Sequence, residues 1–237
     1  MGRGHLDVVG TDASGVASLS VAWRQRLREV DWVAAPRRLH ADLHELWSTT
    51  VAPPRLLATD RPEALIPSLV EAVQNGRQGV LLASGDPLWF GIGRLLLASL
   101  PAECLSFHPA PTSLQLAFAR LGRPWQDARW LSVHGRDPEP LMEALKRRPE
   151  ALVVLTDPGP GSAETVRRAL VASGLAASYG FWVCERLGHP LERVRQLPAT
   201  EPLPPDLDPL HLVVLLAETP QDPDPETLPL FGLEDGL

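Results

Sequence analysis

Residues 79–84, Gly-Val-Leu-Leu-Ala-Ser, carry no charge and end at the turn Gly85-Asp86-Pro87. So short an apolar run, with no polar alternation, has to be covered on both faces. In a chain that also has amphipathic stretches, this describes a parallel strand layered between helices. The unit recurs. Residues 5–10, 31–35 and 104–107 read as further strands, and residues 19–30, 38–47, 64–75, 88–100 and 113–121 as helices between or after them. Residues 19–30 put Leu19, Trp23, Leu27 and Val30 on one helical face. Residues 64–75 follow Arg61-Pro62-Glu63, which suits a first turn, and stop before Gly76.

After Gly122-Arg123-Pro124 the alternation restarts with fewer helices. Strands are expected at residues 129–133, 151–156, 179–186, 193–197 and 211–217, with helices at 140–147 and at 162–173, capped by Ser162. Strands that follow one another directly imply hairpins and a mixed sheet. The expected fold is α/β, with two α/β domains and mixed sheets: residues 1–112 and 113–218. Residues 219–237 form an acidic, proline-rich tail for which no regular structure is expected. An apolar island, Leu-Pro-Leu-Phe-Gly-Leu at 228–233, also suits a docking peptide.

Charge narrows the partners. The 237 residues hold 22 basic and 29 acidic side chains, a net charge of -7, and the tail contributes Asp222, Asp224, Glu226, Glu234 and Asp235 with no basic residue. Without a basic face, nucleic acid is not an expected partner. The longest uncharged run, 104–119, is broken by His108, Pro109 and Pro111, so no membrane-spanning helix is expected. Cys104 and Cys184 lack metal spacing, and residues 1–6 lack a signal core; a reduced, cytoplasmic protein is expected. Lys146 is the one lysine, which leaves little room for Schiff-base chemistry.

Familiar cofactor motifs are absent or incomplete. The first loop, Gly10-Thr11-Asp12-Ala13-Ser14-Gly15, puts Asp12 where a dinucleotide fingerprint needs its second glycine. No glycine-rich loop carries the lysine of an NTP-binding loop. His40 and His44 share a helical face, but no third ligand lies within sequence reach, so no metal is expected. Loops leaving the carboxyl ends of predicted strands are more informative, because open α/β sheets bind ligands there. Three stand out: residues 84–93 (Ser-Gly-Asp-Pro-Leu-Trp-Phe-Gly-Ile-Gly), residues 109–115 (Pro-Ala-Pro-Thr-Ser-Leu-Gln) and residues 157–161 (Asp-Pro-Gly-Pro-Gly). Together they describe a small-molecule site.

These segments resemble the tetrapyrrole methylase family of S-adenosylmethionine enzymes across residues 6–218. Residues 82–93, His108-Pro-Ala-Pro-Thr-Ser-Leu-Gln-Leu-Ala-Phe-Ala-Arg-Leu-Gly122, Trp125-Gln-Asp-Ala128 and Val133-His-Gly-Arg136 look specifically like the subfamily that methylates precorrin-7 at carbon 5. The resemblance implies S-adenosylmethionine lying folded in a cleft between the domains, held largely by main chain, with no metal. Motif by motif it implies cofactor contacts from Ala13, Gly85, Asp86, Trp89, Thr112 and Ser113, and in the second domain from Thr156, Leu187 and His211. It also implies a tetrapyrrole substrate, with or without cobalt, and a homodimer. Where relatives carry a fused second domain that methylates carbon 15 and removes a carboxyl group, this chain shows none, so a separate partner for that step is conceivable. The family's second first-loop glycine is Asp12 here, and its glycine-rich stretch before paired basic residues reads Ala35-Pro36-Arg37-Arg38.

A peripheral polycarboxylate calls for arginine forks, and Arg37, Arg38, Arg120 and Arg136 lie in or near the expected loops. A base that takes a proton after methyl transfer could be His134 or Asp137. Two other readings compete: a methylase of this fold with another acceptor, and a non-catalytic partner that lost the cofactor through Asp12.

Overall fold

The computed structural model describes residues 4–133, 139–156 and 160–218. Candidates His134, Arg136 and Asp137, most of the 157–161 loop and the tail from residue 219 lie outside the described residues. Two compact units divide the chain: residues up to Ser113 with Gly188–Pro190, and Leu114–Leu187 with residues from Leu191 onward.

The first unit runs β1 (His5–Thr11), α1 (Val21–Glu29), β2 (Trp32–Ala35), α2 (His40–Leu46), β3 (Arg55–Ala58), α3 (Pro62–Gln74), β4 (Gln78–Ser84), α4 (Gly93–Ser99) and β5 (Leu105–His108). Its five strands pair in the order β3-β2-β4-β1-β5, every pairing parallel. This sheet is therefore not mixed as expected. A helix lies between each strand and the next, so each strand returns in the same direction. Helices on both faces explain the unbroken apolar runs. Leu6, Val8 and Leu81 pack with Leu65, Leu69, Val73 and Leu96 of α3 and α4. Val9, Val33, Val80 and Leu82 pack with Leu27, Leu39, Leu43 and Trp47 on the other side. The buried indole of Trp47 donates to the Leu27 carbonyl at 2.8 Å.

Two local expectations shift. The four-residue edge strand β3 has no counterpart among the expected strands. Helix α4 begins at Gly93 rather than 88, because residues 85–92 wrap as a turn.

The second unit holds most of α5 (Ser113–Leu121), then β6 (Arg129–Ser132), α6 (Glu139–Lys146), β7 (Ala151–Leu155), α7 (Pro160–Ala172), β8 (Tyr179–Glu185), β9 (Arg193–Leu197) and β10 (His211–Ala217). The order is β6-β7-β10-β8-β9, with β6–β7 parallel and the other pairs antiparallel. Val154, Val183, Val213 and Phe181 meet Leu141, Leu145, Val166 and Leu170 of α6 and α7 in one core. Helix α7 starts at Pro160, so Ser162 sits inside its first turn rather than capping it.

Buried Glu185 ends β8 and is fully paired. It accepts from Arg193 Nη2 at 2.7 Å, Arg195 Nε at 3.0 Å and the Asp208 amide at 2.8 Å. Both cysteines are buried and unbridged, and burial pushes the Cys184 thiol up to about 12, with Glu185 and Glu192 adding to it. No helix among the described residues is long and apolar enough to cross a membrane.

On α7, Glu164 accepts from Arg167 and Arg168, which hold its carboxyl down at about 2 against the ordinary 4.5. A lowered folded-state pKa contributes stability above the unfolded value, and that contribution disappears as pH falls toward 2. Glu164→Gln is expected to cost about 1 kcal/mol in urea unfolding at pH 7, since the pairs lie near the surface. The gap from wild type should close between about pH 4.5 and 2; a gap that persists there would assign the effect to packing.

Candidate functional site

Five parallel strands place their carboxyl ends along one edge of the first sheet. The residues leaving that edge are Asp12–Ser14 after β1, Arg37 and Arg38 after β2, Thr59 and Asp60 after β3, Gly85–Pro87 after β4, and Pro109–Thr112 after β5. Close backbone approach knits three of these loops. A Cβ at Gly10 would stand 2.0 Å from the Gly85 carbonyl oxygen and 2.5 Å from the Ala110 nitrogen. Gly85 N donates to the Thr11 carbonyl at 2.7 Å, and Ala110 N donates to the Gly85 carbonyl at 3.2 Å. The Thr11 hydroxyl, fully buried, donates to the Ala83 carbonyl at 3.1 Å.

Side chains then fix the loops individually. Asp12 Oδ1 accepts from the Ser14 amide at 2.8 Å, closing a turn typical of aspartate, and Ser14 Oγ donates to the Gly188 carbonyl at 2.7 Å. Asp86 Oδ1 accepts from the Leu88 amide at 2.8 Å, and the Asp86 carbonyl accepts from the Trp89 amide. Asp60 Oδ2 accepts from the Arg37 amide at 3.0 Å. Arg38 Nη2 donates to Ser84 Oγ at 3.0 Å. The surrounding protein lowers the Arg38 pKa, and Asp42, Asp12 and Asp60 pull the other way. Thr112 is buried behind Gly85.

Ala13, Gly85, Asp86, Trp89, Thr112, Ser113, Arg37 and Arg38 thus all leave this strand edge or the loops just beyond it. In the second unit, Thr156, Leu187 and His211 gather at one end of the other sheet, since β7 and β8 both run antiparallel to β10. Thr156 Oγ1 donates to the His211 carbonyl at 2.9 Å. The His211 ring lies 2.6 Å from the Asp208 carbonyl through Nδ1 and 3.3 Å from Ser162 Oγ through Nε2.

Arg120 stands apart. Its guanidinium is forked onto Glu192 at 2.5 and 3.2 Å, which raises its pKa and occupies the donors a substrate would need. His40 turns to the Ala35 carbonyl at 3.0 Å, and His44 lies edge-on to Trp47. Among the described residues, no three His, Cys, Asp or Glu side chains are grouped to hold a metal. Asp60, Gly188 and the Asp7–His108 pair at 3.1 Å were not singled out from sequence. Asp60 follows the unforeseen strand β3, and the other two depend on partners about a hundred or more positions away.

The family model for tetrapyrrole (corrin/porphyrin) methylases matches residues 5–202. The chain belongs to the tetrapyrrole methylases. It is 33% identical, over 98% of its length and 54% of the relative's, to a precorrin-6Y C(5,15)-methyltransferase [decarboxylating] of Sinorhizobium sp. It is 33% identical over 51% of its length to a cobalt-precorrin-7 C(5)-methyltransferase of Salmonella typhimurium, covering 58% of that protein. The chain spans about half the length of the curated relatives it matches. A uroporphyrin-III C-methyl transferase from Thermus thermophilus, solved with S-adenyl homocysteine, has the same fold. The TM-score is 0.67 at 22% identity, over 90% of this chain and 97% of that one.

Gly10 is the steric key of the strand edge. Gly10→Ala is expected to lower unfolding free energy by ~1–3 kcal/mol, because backbone atoms of two loops must retreat. An unchanged urea midpoint would show that these loops part without cost.

Proposed function

We propose that the chain is an S-adenosylmethionine-dependent C-methyltransferase of cobalamin biosynthesis that methylates carbon 5 of precorrin-7, or its cobalt form, to give the corresponding precorrin-8. The observation that carries this reading is the 33% identity across 98% of the chain to a relative named for carbon 5 and carbon 15. The Salmonella relative, named for carbon 5 alone, supports that carbon as the acceptor.

The strand edge suits the cofactor. Its loops approach through backbone, with Gly85 at φ 62 and the Thr11, Gly85 and Asp86 carbonyls each accepting from an amide of these loops. Carbonyl oxygens and the Asp86 carboxylate favour a cationic ligand. Ala13, Gly85, Asp86, Trp89, Thr112 and Ser113 are the residues of this edge assigned to hold it; Thr156, Leu187 and His211 are assigned on the family resemblance alone. When bound, S-adenosylmethionine supplies an electrophilic methyl group on sulfur. The acceptor carbon of an enamine is already nucleophilic, so the residues of this chain mainly orient the reactants and exclude water. Arg38, held toward the edge by Ser84, and Arg37 beside it are assigned to acceptor carboxylates, with Arg136 a further candidate. His134 and Asp137 remain the candidates for removing the proton left after transfer.

Incubation with S-adenosylmethionine and precorrin-7, in cobalt-free and cobalt forms, should add the mass of one methyl group. No mass gain with either acceptor would sink the reading, and calorimetry with S-adenosylmethionine would then distinguish a lost cofactor site from a different acceptor. Arg38→Ala should raise the acceptor KM about tenfold or more, as expected for a charge-assisted hydrogen bond, with cofactor affinity within about twofold. Arg120→Ala, whose guanidinium is already paired, should move the acceptor KM less than about threefold.

A further inference from the structure

Three non-glycine residues among those described have left-handed backbone: Phe90 at φ 50, Arg148 at φ 46 and Arg186 at φ 49. Two have local reasons. Arg148 follows α6, and its amide bonds back to the Leu145 carbonyl at 3.1 Å, an ordinary helix ending. Arg186 donates from its amide to the Leu210 carbonyl at 2.9 Å and pairs through Nε with Asp208 at 2.7 Å. Phe90 has a hydrocarbon side chain that is 50% exposed, so neither its conformation nor its burial favours the arrangement.

The loop itself imposes this conformation. Gly93 N donates to the Pro87 carbonyl at 2.9 Å, and a Cβ at Gly91 or Gly93 would stand 2.5 or 2.7 Å from that same oxygen. Residues 91 and 93 therefore fold tightly over Pro87 and leave Phe90 at the crest. There its ring meets the Trp89 ring edge-on, 5.1 Å between centroids at 76°. The loops leaving the strand edge carry the polar residues Asp12, Ser14, Arg38, Asp60, Ser84 and Asp86, and Leu88 in the same turn as Phe90 is also exposed. A strained, exposed aromatic held at such an edge marks a ligand contact.

We propose that Phe90 is a platform for the flat face of the acceptor macrocycle, with Arg38 taking its carboxylates at the periphery. This rests on the assignment of a tetrapyrrole acceptor above. A conjugated ring with apolar faces and a charged rim matches exposed Phe90 and Leu88, with Trp89 edge-on to the Phe90 ring, on a strand edge that also carries charged groups.

Phe90→Gly, Phe90→Leu and Phe90→Tyr test this in the methyl-transfer assay, with S-adenosylmethionine affinity measured by calorimetry. Phe90→Gly removes the ring and relieves the backbone, so its thermal midpoint should hold or rise, while the precorrin-7 KM rises about tenfold. Cofactor affinity should stay within about twofold, Phe90→Tyr should keep KM within about threefold, and Phe90→Leu should raise it about fivefold. An unchanged acceptor KM in Phe90→Gly, with active wild type, overturns the platform alone. An equal loss of cofactor affinity overturns it in favour of a cofactor contact. If Phe90→Gly fails to fold, an unchanged KM in Phe90→Leu overturns it. Wild type inactive on both precorrin-7 forms overturns the acceptor assignment and the platform with it.

Discussion

The absence of a side chain at Gly10 is what lets three loops close over the carboxyl edge of the first sheet. Seven residue pairs align β1 with β4, and four align β1 with β5. At the end of that register, the loops leaving β4 and β5 close over Gly10 within van der Waals limits that only hydrogen satisfies. Main-chain hydrogen bonds, rather than side-chain packing, then tie the three loops together. Loops tied in this way are stiff along their backbone and tolerant at the side chains that face outward. Asp12 fits this logic. It uses its carboxylate to close its own turn.

The second unit rests on a different device. Glu185 is fully buried, and three donors satisfy it from β9 and from the segment before β10. Asp206 shares Arg193 and Arg195 with it, so each arginine answers two acids. Removing an arginine of such a set leaves buried Glu185 charged and short of a donor, which makes the network specify one arrangement of the β8–β9 hairpin. His211 and Thr156 sit at this same strand end, so the network also sets where their loops begin.

Much of this architecture is legible in the residues. Continuous apolar runs such as 79–84 mark strands buried on both faces, and glycine or proline turns mark the loops that end them. What escapes has physical causes. Strand β3 is four residues at a sheet edge, half covered, and lacks a strong apolar signature. Residues 88–90 are apolar enough to read as helix, yet the two following glycines permit a wrap that no periodicity reveals. The expectation of mixed sheets fails in the first unit because every connection there contains a helix. Arg120 illustrates the limit at the site. Its position in α5 suggests a free fork, and only the fold discloses Glu192, 72 positions away, already occupying it. Phe90 likewise looks like core by composition and is found in solvent.

The two thiols have a practical corollary. Cys104 and Cys184 are the chain's full complement of cysteine, and both are sealed inside the core, Cys184 with its proton held firmly. Thiolate is the reactive form, so the native chain is close to silent toward maleimides and disulfide reagents. A pair of cysteines, one engineered into an exposed loop of each unit, would therefore be the reactive attachment points for two fluorophores or spin labels. Distances between the two units, bound and free, could then be followed without first stripping the protein of its own sulfur.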